Sequence, residues 1–213
     1  MRRLSPRQRP YLWIGASLLA VELAIWIAGG MLRNPDRFRV WLVGLAGFWP
    51  GLLGDWQSNF PLQPATMFAT YWLIHSGPGH LLGNLGVLAW FGLRIGPRLR
   101  RRETWEIWIA SVLGGSLAFG YLGTSHSPVI GASGGVFGLL GAFVVLDFRE
   151  ARSRTGRARA GARTAGICAL IVALSILDYM LRDAILAWQA HLGGFLAGAA
   201  LTWVVSAPGR ERR

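Results

Sequence analysis

Four polar residues in a largely apolar chain have side chains suited to acyl-transfer chemistry: His80, Asn84, Ser133 and His191. A serine hydroxyl is a weak nucleophile until a base removes its proton, and histidine is the usual base. The run Gly131-Ala132-Ser133-Gly134 sets the serine at the expected start of a helix, after a loop containing Pro128. The positive end of a helix and its free backbone N–H groups favour negative charge beside that serine. Asn84 follows His80 at i+4 and so shares its helical face. Together the two can donate hydrogen bonds to a tetrahedral oxyanion, a role worth about 10²–10³ in rate per donor.

The elements that must position these groups are long apolar segments. Of 213 residues, 53% are hydrophobic and 15% charged, against roughly 45–50% and 25% in soluble domains. Six spans are expected, at about residues 11–32, 80–95 (or from nearer 68), 104–123, 132–148, 164–186 and 190–206. A hydrocarbon core takes about 20 residues of helix to cross. Several of these segments are apolar all round, whereas helices of a soluble domain keep a polar face. A water-soluble enzyme is thereby excluded, and an all-α membrane protein is expected.

The net charge of +12 comes from 22 basic residues, all arginine. They cluster before the first span, between the second and third, between the fourth and fifth, and after the sixth. Only Arg33, Arg37, Arg39 and Arg182 lie elsewhere. Such alternation is the positive-inside pattern and requires both termini in the cytoplasm. A nucleic-acid partner would need this charge on one folded face, so none is expected. The single Cys168, in an apolar run, can form neither an internal disulfide nor a zinc site alone and reads as a buried, inert thiol; no metal or cofactor is expected. The first span is too long for a signal-peptide core and reads as an uncleaved anchor. Most of the 11 tryptophans, among them Trp13, Trp49, Trp56, Trp72, Trp188 and Trp203, fall near span ends as interfacial anchors. The outer connection, about residues 33–68, reads as short amphipathic helices lying in the interface. The arginine-rich stretch 149–163 reads as a solvated linker. The expected organisation is a basic cytoplasmic segment at 1–10, the six-span domain at 11–206 and a basic cytoplasmic tail at 207–213.

Polar groups within a span are costly, commonly about 2.5–3.5 kcal/mol for a central charge. His80, Asn84, Ser133 and His191 all lie near the N-terminal ends of the second, fourth and sixth spans, which run in the same direction. At 1.5 Å per residue, Ser133 lies roughly 24 Å above Arg149, His80 roughly 21 Å above Arg94 and His191 roughly 25 Å above Pro208. They share one layer, reachable by water from the outer side. Close approach of the fourth and sixth spans is written in Gly134, Gly138 and Gly141 on one and Gly194 and Gly198 on the other, since small residues at i, i+4 let helix backbones nearly touch. Taken singly, a serine at a helix start is ordinarily a cap and glycines in membrane helices ordinarily pack. Four such groups in one layer on three like-directed spans are not explained by packing.

His80-x-x-x-Asn84, Gly131-Ala132-Ser133-Gly134 and Ala190-His191-x-x-Gly194-x-x-x-Gly198, in that order on alternate spans, resemble the rhomboid intramembrane serine proteases over about residues 66–200. The resemblance implies a six-helix bundle with a water-filled cavity open to the non-cytoplasmic face. It also implies peptide-bond hydrolysis near the top of substrate transmembrane helices that enter between the second and fifth spans. Carried over, Ser133 is the nucleophile and His191 the general base and then acid. His80, Asn84 and the Ser133 amide form the oxyanion site, Phe137 packs on the catalytic histidine, and His75 orders the outer loop. Where the family often has a Trp-Arg pair in that loop, this chain has Thr66 and Met67, while Thr70-Tyr71 fits the pattern. No soluble N-terminal domain and no seventh span are expected.

Asp178 or Asp183 could orient His191 as the third member of a triad does; an Arg182–Asp178 pair is the plainer reading. Glu22 is expected to bond a neighbouring helix, and His126 to be solvated. Two other functions compete with a protease. A catalytically silent, rhomboid-like protein that binds transmembrane helices would have no need of both Ser133 and His191. A transporter would be expected to show internal repeats and broken helices at the midplane, and the sequence has no repeat. The partners expected are the lipid bilayer and transmembrane protein substrates, and the location a bacterial plasma membrane.

Overall fold

The structure, a computed structural model, describes residues 5–123, 126–151, 154–182 and 187–206. Eight α-helices follow one another among these: α1 (Arg9–Met31), α2 (Pro35–Ala46), α3 (Gln63–Thr70), α4 (Pro78–Arg94), α5 (Arg101–Leu122), α6 (Ser133–Glu150), α7 (Arg154–Arg182) and α8 (Trp188–Val205). The described residues form no strand; a single antiparallel bridge pairs Phe48 with Val129. The fold is all-α. Among the described residues, two segments, Pro6–Met31 and Arg101–Leu122, are long and apolar enough by themselves to cross a bilayer.

Local chemistry sets the helix starts. Proline opens α1, α2 and α4 within their first two positions, where its missing N–H costs nothing and its fixed φ suits a helix. Asn34 caps α2 by accepting the Arg37 N–H at 3.2 Å, and the Glu103 carboxylate caps α5 by accepting the Arg100 N–H at 2.7 Å, as orphan amides of a first turn require. The connection from α1 to α4 is built as expected from short helical pieces, α2 and α3 with 3-10 turns at Pro50–Leu53 and Tyr71–Leu73.

α8 packs against both α5 and α6, and glycine makes this possible. A Cβ built on Gly194 would lie 2.1 Å from the Gly134 carbonyl oxygen, and one on Gly198 2.2 Å from that of Gly138. On the other side, a Cβ on Gly193 would lie 2.3 Å from the Gly114 oxygen. Backbone therefore meets backbone along two seams, held by dispersion between close-packed atoms. Trp108, Phe119, Leu139 and Phe91 are among the side chains that fill the core around them. At the opposite end from Ser133, Arg98 pairs with Glu150 and approaches Asp147 at 3.9 Å, Arg163 pairs with Asp147, and the Arg149 guanidinium lies 4.2 Å over the Trp203 ring.

Two expectations are corrected. The stretch 149–163 is not simply a solvated linker: α7 begins at Arg154, because alanine and arginine are strong helix formers, and Arg163 is held by Asp147. Cys168 is half-buried rather than buried. His126 is exposed, as expected, and also stacks on Trp56, with 6.1 Å between ring centroids. Asp183, the tail 207–213 and the Asp178 and Arg182 side chains lie outside the described residues.

Candidate active site

The N-terminal ends of α4, α6 and α8 converge at one end of the bundle. Ala132 is the N-cap of α6 and Ser133 the first helical residue, so the serine hydroxyl is not at the capping position. Its Oγ instead lies 3.0 Å from the Nε2 of His191, one turn into α8. The glycine seam fixes this distance, since Gly194 meets the Gly134 backbone directly after the serine. The Phe137 ring, one turn into α6, lies against a face of the same imidazole. Ser133 and His191 are half-buried, so the pair is not sealed from small molecules.

The turn before Ser133 is held from three sides. Gly131 has φ +108°, a conformation that L side chains rarely adopt, and its N–H donates to the Tyr71 carbonyl at 3.0 Å. A Cβ there would lie 2.5 Å from His80 Cε1 and 2.8 Å from Nε2. Glycine at this position thus serves both the backbone and the histidine ring seated against it. Two residues upstream, the amides of Phe48 and Val129 each donate to the other's carbonyl at 3.0 Å. The third support is His75, whose Nε2 accepts the Ala132 N–H at 3.4 Å.

His80 Nδ1 lies 3.4 Å from the Ser76 backbone N–H, which donates to it. An accepting Nδ1 leaves the neutral ring's proton on Nε2, the nitrogen on the Gly131 side. Asn84 is buried, and one of its two amide protons goes to the His80 carbonyl at 3.1 Å. Only the second is left for another acceptor, which sequence spacing does not reveal. The His75 and His80 rings meet edge to face, 5.0 Å between centroids. Burial, with the nearby His80 second, pushes the His75 imidazole down to about 3, so it is neutral near pH 7. With Nε2 accepting, its proton sits on Nδ1, 3.9 Å from Glu22 Oε1.

Every site residue anticipated from sequence, Gly131, Ser133, Phe137, His80, Asn84, His191, Gly194 and Gly198, lies at this end of the bundle or along the seam leading from it. Tyr71 was noted only as part of a matching pair, and its role was missed: its hydroxyl donates to the buried Val112 carbonyl at 2.7 Å while its own carbonyl takes the Gly131 N–H. Arg39 was also missed, although it is one of only four arginines off the positive-inside pattern. It pairs with Glu22, the one acidic residue in the first apolar segment.

Comparison with known proteins identifies the family. The family model described as Rhomboid domain matches residues 63–208. Rhomboid-related protein 2 of Mus musculus is 27% identical over 154 residues, covering 67% of this chain and 49% of its own length. RHOMBOID-like protein 6, mitochondrial, of Arabidopsis thaliana is 27% identical over 157 residues, covering 71% and 47%. An uncharacterized protein of Mycobacterium tuberculosis is 27% identical over 198 residues, covering 88% and 80%. The chain spans about half the length of the first two of these.

Proposed function

The chain belongs to the rhomboid family, whose members are embedded in membranes, and we propose that it is an intramembrane serine endopeptidase. In this reading α1, α4, α5, α6, α7 and α8 are six membrane spans with both termini in the cytoplasm. The six-span domain covers about residues 11–206, and the Ser133 end faces the non-cytoplasmic side of a bacterial plasma membrane. Substrates are transmembrane proteins cut near that side. The observation that carries the reading is the 3.0 Å approach of Ser133 Oγ to His191 Nε2.

The chemistry follows from the geometry. His191 Nε2 takes the hydroxyl proton as Ser133 Oγ attacks the scissile carbonyl carbon. The carbonyl oxygen becomes an oxyanion, to which His80 Nε2–H, the free Asn84 amide proton and the Ser133 N–H can donate. As the C–N bond breaks, the imidazolium returns its proton to the leaving amine, which leaves an acyl-enzyme ester. Water entering from the open side then attacks the ester, giving a proton to His191, and collapse restores the Ser133 hydroxyl and releases the carboxylate product. Phe137 holds the imidazole plane through both steps.

The test is chemical. Purified protein is treated with a fluorescent fluorophosphonate and, separately, with a generic transmembrane substrate. The parent labels and cleaves, and Ser133→Ala does neither. Equal labelling and cleavage by the variant would falsify the mechanism.

A further inference from the structure

Glu22, on α1, is almost completely buried, and Arg39, on α2, lies over it with a side chain 17% exposed. The guanidinium grips the carboxylate with both nitrogens, Nη1 to Oε1 at 3.1 Å and Nη2 to Oε2 at 2.9 Å. Both partners then reach the same backbone. Glu22 Oε1 accepts the His75 N–H at 2.6 Å, and Arg39 Nη1 donates to the His75 carbonyl. His75 in turn touches the reacting centre on two sides, through the Ala132 N–H and the His80 ring.

We propose that Glu22 and Arg39 are positioning residues that clamp His75 by its backbone and so fix the serine turn and the oxyanion side of the site. This deepens the protease reading and rests on it. The clamp couples three parts of the chain that the dyad itself does not join: the first helix, the outer-loop helix α2 and the turn entering α6. A simple stabilising role explains the geometry poorly. A buried ion pair is weak evidence for stability, because well-packed apolar residues do as well. Here, however, each charged group also satisfies one polar atom of a single residue, and that residue bonds the turn entering α6. Arginine suits the task because its planar fork bonds a carboxylate and a carbonyl at once, which a lysine ammonium cannot do with the same geometry.

The experiment separates positioning from folding by following fluorophosphonate labelling over time at saturating probe. The endpoint counts folded, competent sites, whereas the rate reads how well Ser133 and its surroundings are held. Glu22→Gln and Arg39→Gln are expected to label about tenfold more slowly than the parent, within the range a small misplacement costs, at an endpoint corrected for any unfolded fraction. The double variant is expected to be no slower than the slower single, because both act through one contact. Arg39→Lys should fall between parent and Arg39→Gln, with a full endpoint. Variants that lose endpoint but label at the parental rate would reduce the pair to a structural brace and overturn the proposal. Should Arg39→Gln give no labelled protein, Arg39→Lys decides alone, and labelling at parental speed overturns the proposal. A parent that does not label at all would instead remove Ser133 as nucleophile, and the clamp's role with it.

Discussion

The Phe137 ring lies flat on the His191 imidazole, 4.2 Å between centroids and 3° between planes. The contact fixes the plane in which Nε2 points at Ser133, so the ring's shape should matter beyond its bulk. Phe137→Leu keeps most of the apolar volume and should cost less than about 1.5 kcal/mol in stability, yet slow labelling of Ser133 severalfold. Phe137→Ala should cost about 3 kcal/mol or more and slow it further. Thermal unfolding beside labelling kinetics checks both; a leucine variant as fast as the parent would show that any apolar neighbour suffices.

The seam between α6 and α8 makes a contrast within one residue type. Gly198→Ala drives a methyl group into the Gly138 carbonyl and should lower stability by about 1–3 kcal/mol. On α4, a Cβ on Gly86 meets nothing within 4 Å, so Gly86→Ala should be neutral or stabilising by up to about 1 kcal/mol, the helix-propensity difference. Equal melting temperatures for the two variants would mean that the helices part easily at the seam.

Gly131→Ala should impair the site while leaving the bundle folded. The new methyl group faces both an unfavourable φ and the His80 ring, and the cheapest relief is to move the ring away from the oxyanion side. Labelling by the fluorophosphonate should slow about 10²-fold or more, as for the loss of one oxyanion donor, with helical content unchanged by circular dichroism. An unaffected rate would place His80 outside the chemistry.

His75 makes stability depend on pH in a definite direction. Its folded value lies below the ordinary 6.5, so the unfolded chain binds the proton more readily. The neutral form's contribution is therefore complete above about pH 6.5 and is lost progressively as pH falls towards the folded value, at up to about 1.4 kcal/mol per pH unit. His75→Gln should flatten melting temperature against pH between about 6.5 and 4 relative to the parent. Parallel curves for the two proteins would contradict a buried, neutral imidazole.

The motifs made the convergence of Ser133, His191 and His80 legible, because each sits at a helix end and the spacing of apolar segments fixes which ends share a layer. The close approach of α6 and α8 was legible in their i, i+4 glycines, although not which glycine meets which. The second seam, Gly193 against Gly114, was not legible: both helices carry paired glycines, and pairing says nothing about which neighbour each member faces. Glu22 and Arg39 were each visible as oddities, an acid inside an apolar segment and a cation on the unexpected side. Their pairing depends on α2 folding back along α1, which the Arg33 turn at φ +53° and Pro35 arrange without any periodic signal. The helical start of α7 was hidden for a different reason, since charge suggested solvent while propensity favoured a helix. Asn84's bond to the His80 carbonyl is a choice of rotamer, made by burial rather than by spacing.

The mutual hydrogen bonds of Phe48 and Val129 form a two-rung rivet between segments far apart in the chain. Opening the rivet releases both amides together, so both should show the same degree of protection against deuterium. A ligand that loosens the one segment would register at the other, making the pair a reporter on traffic above the site that needs no substrate and no attached probe.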